Sequence, residues 1–295
     1  MNHTNILALA IPLFLLAMAA EIVHTHHKRK HEYRINDSLN CIATGILSFF
    51  VGLYSAGFKG YTYLLVFHYL RLTDMHFMSA PFQITCVISL VVIQDCAYYW
   101  FHRAAHRINF MWAGHVVHHS SEEYNLTVAV RQSTFQQFTS WPFYLPLALI
   151  GYPPEWFVTT MSLNLIYQFW IHTREVDKMP AWFEVIFNTP SHHRVHHGTN
   201  KQYLDKNYGG ILIIWDKLFG TFEAEHETVR YGITVPVNSF NPIWVNIHYY
   251  WYLWQTSSAA PSFSQALRLW LEPPDWKPDW IEICPGESIA PELQN

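Results

Sequence analysis

The chain has 295 residues, 51% of them apolar and only 14% charged, well short of the quarter that soluble domains usually carry. Its 17% aromatic content and net charge of −4 exclude a disordered chain, a charged-heptad coiled coil and a basic nucleic-acid-binding face. Its 19 histidines outnumber its 18 lysines and arginines together.

Five stretches lack Asp, Glu, Lys and Arg for long enough to form membrane spans of about 20 residues. They are Asn2 to Ala20, Leu39 to Phe58, Met75 to Gln94, Gln132 to Pro154 and Trp156 to Thr173. The first carries a signal-like Ala-Met-Ala-Ala at 17–20, but no basic residue precedes it. Lys28, Arg29, Lys30 and Arg34 follow it instead, the flank of an anchor whose C-terminal end faces the cytoplasm.

Propagating that orientation puts residues 24–37, 101–131 and 174–240 in the cytoplasm, with an outer loop at 59–74. The fourth and fifth spans form a hairpin through the turn Gly151-Tyr152-Pro153-Pro154. Tyr61 to Leu70 reads as a short interfacial or re-entrant piece. From Arg174 to Tyr231 charges return and Gly, Asn and Pro break the runs, which predicts short helices in a polar loop.

Trp244, Tyr249, Tyr250, Trp251, Tyr252 and Trp254 lie within a segment, 240–271, expected at the membrane interface. The proline-rich tail, 272–295, is expected to hold little regular structure. The predicted fold is therefore all-α: one multi-pass membrane helical domain over 1–295, with about five spanning helices between residues 2 and 173. Cys41, Cys86, Cys96 and Cys284 show no C-x-x-C pairing and read as packing residues.

The histidines carry the chemistry. His102-Arg-Ala-Ala-His106 places two imidazoles one helical turn apart. Arg103 stands where a zinc protease has its glutamate, which excludes that motif. His115-Val-Val-His118-His119 and His193-Arg-Val-His196-His197 follow, the latter preceded by His192, and His172 closes the fifth span. A single histidine on an apolar face is usually a hydrogen-bonded core residue. Repeated boxes on one side of a membrane are metal ligands, since so many buried imidazoles would otherwise be left unpaired. Eight or nine histidines exceed one ion's needs, so two metals are implied. Imidazole suits Zn, Fe, Cu and Ni alike.

His24, His26, His27 and His31 surround a basic cluster and read as a lipid-facing patch rather than a metal site. Asp95, two helical turns before His102, is placed to accept a hydrogen bond from a ligand imidazole. Asn125, Asp205 and Asn207 are further supporting residues, with loop capping as their structural alternative.

The motifs resemble the fatty acid hydroxylase and sterol desaturase superfamily of membrane di-iron oxygenases, and within it the branch that cleaves glyceryl ethers. The resemblance rests on Asp95-Cys-Ala-Tyr-Tyr-Trp-Phe-His-Arg-Ala-Ala-His106, Met111-Trp-Ala-Gly-His115 and His118-His-Ser-Ser-Glu-Glu-Tyr-Asn125. It continues in Tyr167-Gln-Phe-Trp-Ile-His172, Asn188-Thr-Pro-Ser-His-His-Arg-Val-His-His197, Asp205-Lys-Asn-Tyr208 and Trp215-Asp-Lys-Leu-Phe-Gly-Thr-Phe-Glu223.

That resemblance implies two irons held by His102, His106, His115, His118, His119, His172, His193, His196 and His197. It also implies O₂ and tetrahydrobiopterin as co-reactants, an alkylglycerol as lipid substrate, and a fatty aldehyde as product. A reductase or pterin-recycling partner is then expected, in the endoplasmic reticulum of a eukaryote or the inner membrane of a bacterium. The competing enzyme reading is a sterol desaturase or fatty acid hydroxylase fed by cytochrome b5. A reading of another class is a histidine-rich metal transporter or sensor, which would need ligands deep within the spans. The chain offers no haem-attachment C-x-x-C-H and no flavin-type glycine fingerprint, so an external two-electron donor is required.

Overall fold

A computed structural model describes residues 6–28, 30, 32–75 and 79–280. Its described residues are all-helical, with no strand beyond a single bridge between Phe187 and Leu212. Three long helices come first: α1 (Ile6–His27), α2 (Ile35–Leu70) and α3 (Ala80–Arg107). Each is long and apolar enough to cross a membrane. α2 and α3 start and stop beside charged or proline-bearing segments, and α1 ends at one.

The 36 residues of α2 make it roughly 54 Å long at 1.5 Å per residue, against a hydrocarbon thickness of about 30 Å. Residues 59–70, expected as part of an outer loop, instead continue this helix. Nothing in Phe58-Lys-Gly-Tyr-Thr-Tyr breaks a helix strongly enough to end it.

The fourth apolar stretch departs from one continuous helix. It divides into α5 (Gln136–Ser140), a 3₁₀ turn at Trp141–Tyr144 and α6 (Leu145–Ile150). Pro142 and Pro146 each lack the N–H that a continuing helix requires, so the helix restarts at each. The broken segment still runs beside α2. Ser48 Oγ donates to the Ser133 carbonyl at 2.9 Å, Trp141 Nε1 to Thr62 Oγ1 at 2.9 Å, and Tyr63 Oη to the Tyr152 carbonyl at 3.0 Å.

Gly151 then reverses the chain at φ +110°, where an added Cβ would stand 2.0 Å from the Thr73 carbonyl oxygen. The return helix, α7 (Pro154–Trp170), has 17 residues. Tyr63, Phe67, Leu90, Tyr144, Leu147, Tyr152 and Phe157 pack α2, α3, α6 and α7 together. In lipid, such close packing and hydrogen bonding hold helices together, because burial from lipid gives no hydrophobic gain.

Short helices follow: α8 (Ala181–Glu184), α9 (Pro190–His196) and α10 (Ile214–Phe219), then α11 (Pro242–Ser258) and α12 (Phe263–Leu271). Residues 272–280 form turns only, as the prolines predict; the tail beyond them, with Cys284, lies outside the described residues. Cys41 and Cys86 are buried, and neither forms a disulfide among the described residues.

The basic segment after α1 is ion-paired within the protein. Glu175, beyond α7, receives Lys30 Nζ at 2.6 Å and His24 Nε2 at 2.9 Å, and Arg34 meets Glu122 at 2.9 Å. These links bring residues 24–34, 122 and 175 to one side of the molecule. Arg29 and His31 of that segment lie outside the described residues.

Candidate metal centre

One extended residue, Ile108, separates α3 from α4 (Asn109–His119) and folds the second helix back on the first. His102 and His106 thereby face His115 and His119, each pair sharing a helix face at i, i+4. α7 delivers His172 just past its C-terminus. α9, N-capped by Thr189, supplies His193 and His196, with His197 as its C-cap.

Nine histidines form two groups: His102, His106, His115, His119 and His196 in one, His118, His172, His193 and His197 in the other. Within each group the ligand nitrogens lie within 4.8 Å of one another, and every residue is buried. All nine sequence-predicted ligands are in this constellation. His192 is in neither group; its Nε2 lies 4.0 Å from Glu184.

The hydrogen bonds fix the tautomers. His118 Nδ1 donates to the Arg131 carbonyl at 3.0 Å and His172 Nδ1 to the Gln168 carbonyl at 2.7 Å. A neutral imidazole has one N–H, so both Nε2 atoms carry only lone pairs. They nevertheless stand 3.2 Å apart. His102, bonded through Nδ1 to the Tyr208 carbonyl at 2.8 Å, meets His115 Nε2 at 2.9 Å in the same way. The buried Nε2 atoms of His106, His196 and His197 have no hydrogen-bond partner among the described residues.

Protonation does not rescue these contacts. Burial, then repulsion from neighbouring imidazoles, pushes His115, His119, His193 and His197 well below the usual histidine range. Burial lowers His118 to about 4. A metal cation between facing lone pairs is the remaining solution, and ligand distances near 2.1 Å put adjacent nitrogens about 3 Å apart. The residues therefore fit two metal ions.

The supporting residues differ from expectation at several positions. Asp95 does not reach His102; its carboxylate accepts from Ile211 N at 2.7 Å, Leu212 N at 3.0 Å, Trp215 Nε1 at 3.0 Å and Asn164 Nδ2 at 2.9 Å. It anchors the loop that carries the Tyr208 carbonyl, so its effect on His102 is indirect. Gly210 allows this approach, since a Cβ there would lie 2.7 Å from Asp95 Oδ1.

Asn207, at φ 58°, donates to the carbonyls of His192 and Glu223 and steadies α9. Asn125 caps its own turn through Thr127 and donates to the Glu32 carbonyl, so its amide hydrogen-bonds to no ligand histidine. Asp205 Oδ1 lies 3.6 Å from His106 Nδ1, while Arg107 donates to its Oδ2 at 2.5 Å.

Asp216, Arg131 and Gln136 were missed as supports. Asp216 accepts from Tyr208 N and Gly209 N, both at 2.8 Å, and fixes the carbonyl that orients His102. Gln136 Oε1 holds His115 Nδ1 at 2.6 Å. Buried Arg131 donates to the Val117 carbonyl and Asn40 Oδ1, both at 2.7 Å. Asp216 lies in the Trp215-Asp-Lys motif, a visible signal; nothing local marks the other two. A cavity of about 230 Å³ beside α9 touches His192, but its Lys217 and Glu225 are already bonded to main chain and to Arg194.

The sequence that builds this centre matches a known family. The Fatty acid hydroxylase profile matches residues 87–221, which include all nine histidines. The chain belongs to the fatty acid hydroxylase family. It is 44% identical to the human alkylglycerol monooxygenase over 285 residues, 96% of this chain and 62% of the relative. The zebrafish (Danio rerio) alkylglycerol monooxygenase is also 44% identical, over 91% of this chain and 59% of its own length. Human lathosterol oxidase is 25% identical over 48% of this chain and 46% of its own length. The chain thus spans about three-fifths of the length of the alkylglycerol monooxygenases it matches. No solved structure matches.

Proposed function

We propose that this protein is a membrane di-iron monooxygenase that cleaves the O-alkyl bond of alkylglycerols, using O₂ and a tetrahydropterin. The observation that carries the reading is the 44% identity to alkylglycerol monooxygenase across 96% of the chain, centred on the paired histidine groups. Oxidising an unactivated C–H bond is beyond any side chain, and bound iron would supply activation of O₂.

The chain's own residues hold that chemistry in place. Main-chain carbonyls of Tyr208, Arg131, Gln168 and Lys206 fix four ligand tautomers, and burial keeps the imidazoles neutral and excludes water. The balanced reaction adds one oxygen atom at the carbon beside the ether oxygen and reduces the other to water. Two electrons come from the tetrahydropterin, which leaves as its dihydro form. The resulting hemiacetal breaks its C–O bond to give a fatty aldehyde and a glycerol derivative.

Lys28, Lys30, Arg34, Arg103, Arg107 and Arg131 lie on the histidine side, which supports a cytoplasmic orientation by the positive-inside rule. Soluble pterin and a recycling partner would meet the site there.

The test is aldehyde release from 1-O-alkylglycerol by purified, iron-loaded protein with and without tetrahydrobiopterin. Aldehyde only with pterin supports the reading. Hydroxylation of a sterol or fatty acid driven by cytochrome b5, with no pterin effect, replaces it with the other branch of the family.

A further inference from the structure

The last two described helices leave a large apolar face uncovered. On α11, Val245, Asn246, Leu253 and Thr256 are buried against the protein. Ile243, Ile247, Trp251 and Trp254, at helical spacing on another face, are exposed, Trp254 to 64%. On α12, Phe263, Leu267 and Leu271 repeat the pattern, with Phe263 84% exposed. α11 contains no charged residue, and the single arginine of α12, Arg268, is bonded to Glu272 at 2.8 Å.

This face is continuous with the membrane-spanning surface. Asn40 of α2 donates to the Phe240 carbonyl, just before α11, at 2.6 Å. Neighbouring Leu39, Ile46, Phe49 and Phe50 of α2 are exposed to 51% or more. An exposed apolar face contiguous with a span has lipid as its occupant, and aromatic residues suit the depth where acyl chains meet headgroups.

The same face leads to the metal centre. Asn246 Oδ1 accepts from Thr134 N at 2.9 Å, pinning α11 over the start of α5. Tyr250 then lies between Phe135 and Phe110, its ring centroid 5.2 Å and 6.2 Å from theirs, and both phenylalanines are more than 40% exposed. Tyr250 Oη would be 3.2 Å from a Cβ added at Gly114, and Gln136, which holds His115, adjoins the same glycine. Its hydroxyl makes no hydrogen bond among the described residues. An aromatic cluster thus lies on the lipid side, with an unused hydroxyl against Gly114, the residue before His115.

We propose that the exposed face of α11 and α12 is immersed in lipid, and that the alkyl chain of a membrane lipid reaches the first histidine group by parting the aromatic cluster of Phe110, Phe135 and Tyr250. The chain enters by lateral movement from the bilayer, and the Tyr250 hydroxyl donates to an oxygen where alkyl chain and head group join. This deepens the proposed ether-lipid reading, whereas the lipid contact of α11 stands without it.

The test places a fluorophore on a cysteine substituted for Ile247 or Trp254, and for exposed Lys201 as control, in full-length protein reconstituted into phosphatidylcholine bilayers with and without brominated acyl chains. Bromolipid is expected to quench positions 247 and 254 and to spare 201. Equal, weak quenching at all three overturns the proposal. Disulfide cross-linking between copies of the unlabelled Trp254→Cys variant does so too, since it would put a second protein molecule on this face.

In parallel, Tyr250→Phe is expected to raise KM for alkylglycerol about fivefold with kcat within a factor of two, the loss of one hydrogen bond to substrate. An unchanged KM removes Tyr250 from the route. Absence of any alkylglycerol turnover by the unsubstituted protein, with quenching intact, removes the ether-lipid reading and leaves the lipid contact standing.

Discussion

His118 and His172, 54 residues apart in the chain, present bare Nε2 atoms to each other at 3.2 Å, each held so by a main-chain carbonyl on its far nitrogen. Two lone pairs at that separation repel, and only a cation between them makes the arrangement stable. The preorganised pair is a statement about function made by hydrogen bonds alone.

Substitution should therefore divide the site. His172→Ala removes a ligand only from the four-histidine group, so metal analysis should show one ion lost and the five-histidine ion largely retained. His118→Ala should likewise lose the four-histidine ion and His196→Ala the five-histidine ion, each abolishing activity. Exposed His27→Ala should leave both near the unsubstituted level. Full metal retention in His118→Ala would contradict the assignment.

Asp95 should act on stability before it acts on chemistry. Asp95→Ala strips the acceptor from two main-chain amides and the Trp215 indole, all partly buried, at a cost of about 3 kcal/mol. Thermal unfolding in detergent reads this as a lower Tm. A variant with unchanged Tm but altered iron spectra would return Asp95 to direct contact with a ligand.

The pH dependence follows from the direction of the histidine shifts. His118 is lowered to about 4 in the folded protein from an unfolded value near 6.5. Between those values the unfolded chain binds the proton and the folded chain does not. Stability is thus full above about pH 6.5 and is lost as pH falls towards 4, with metal released as protons compete for the nitrogens. Chelatable metal measured from pH 7.5 down to 4.5 should rise on acidification; release on alkalinisation would reverse the sign.

Topology is tested by cysteines substituted for exposed Glu122 and Lys201, residues in the two segments that deliver the histidine boxes. In sealed vesicles a membrane-impermeant reagent should reach both from the same face. Labelling from opposite faces would end the proposed layout.

The histidine groups were legible from the sequence because i, i+4 spacing acts within a single helix and the H-x-x-H-H box repeats. His172 was legible from its position at the end of an apolar run. Most supports were not: Arg131 and Gln136 act through contacts set by where α4 and α5 settle, and the Trp215-Asp-Lys motif marks Asp216 without showing which amides it holds. Asp95 illustrates the limit, since helix spacing placed it two turns below His102, but spacing does not show that a returning loop offers it two main-chain amides. The fourth apolar stretch failed as one helix because hydropathy counts Pro142 and Pro146 as harmless, whereas each removes a helical hydrogen bond. The extension of α2 through residues 59–70 was hidden by Lys59 and Gly60, which lower hydropathy without ending a helix.

The most direct test of the dinuclear account is the metal content of purified full-length protein expressed in iron-supplemented cells, by elemental analysis with Mössbauer spectroscopy. The account predicts two irons per chain in distinct nitrogen-rich environments, one with five and one with four histidine ligands. One iron per chain, or a single environment holding all the metal, would contradict it.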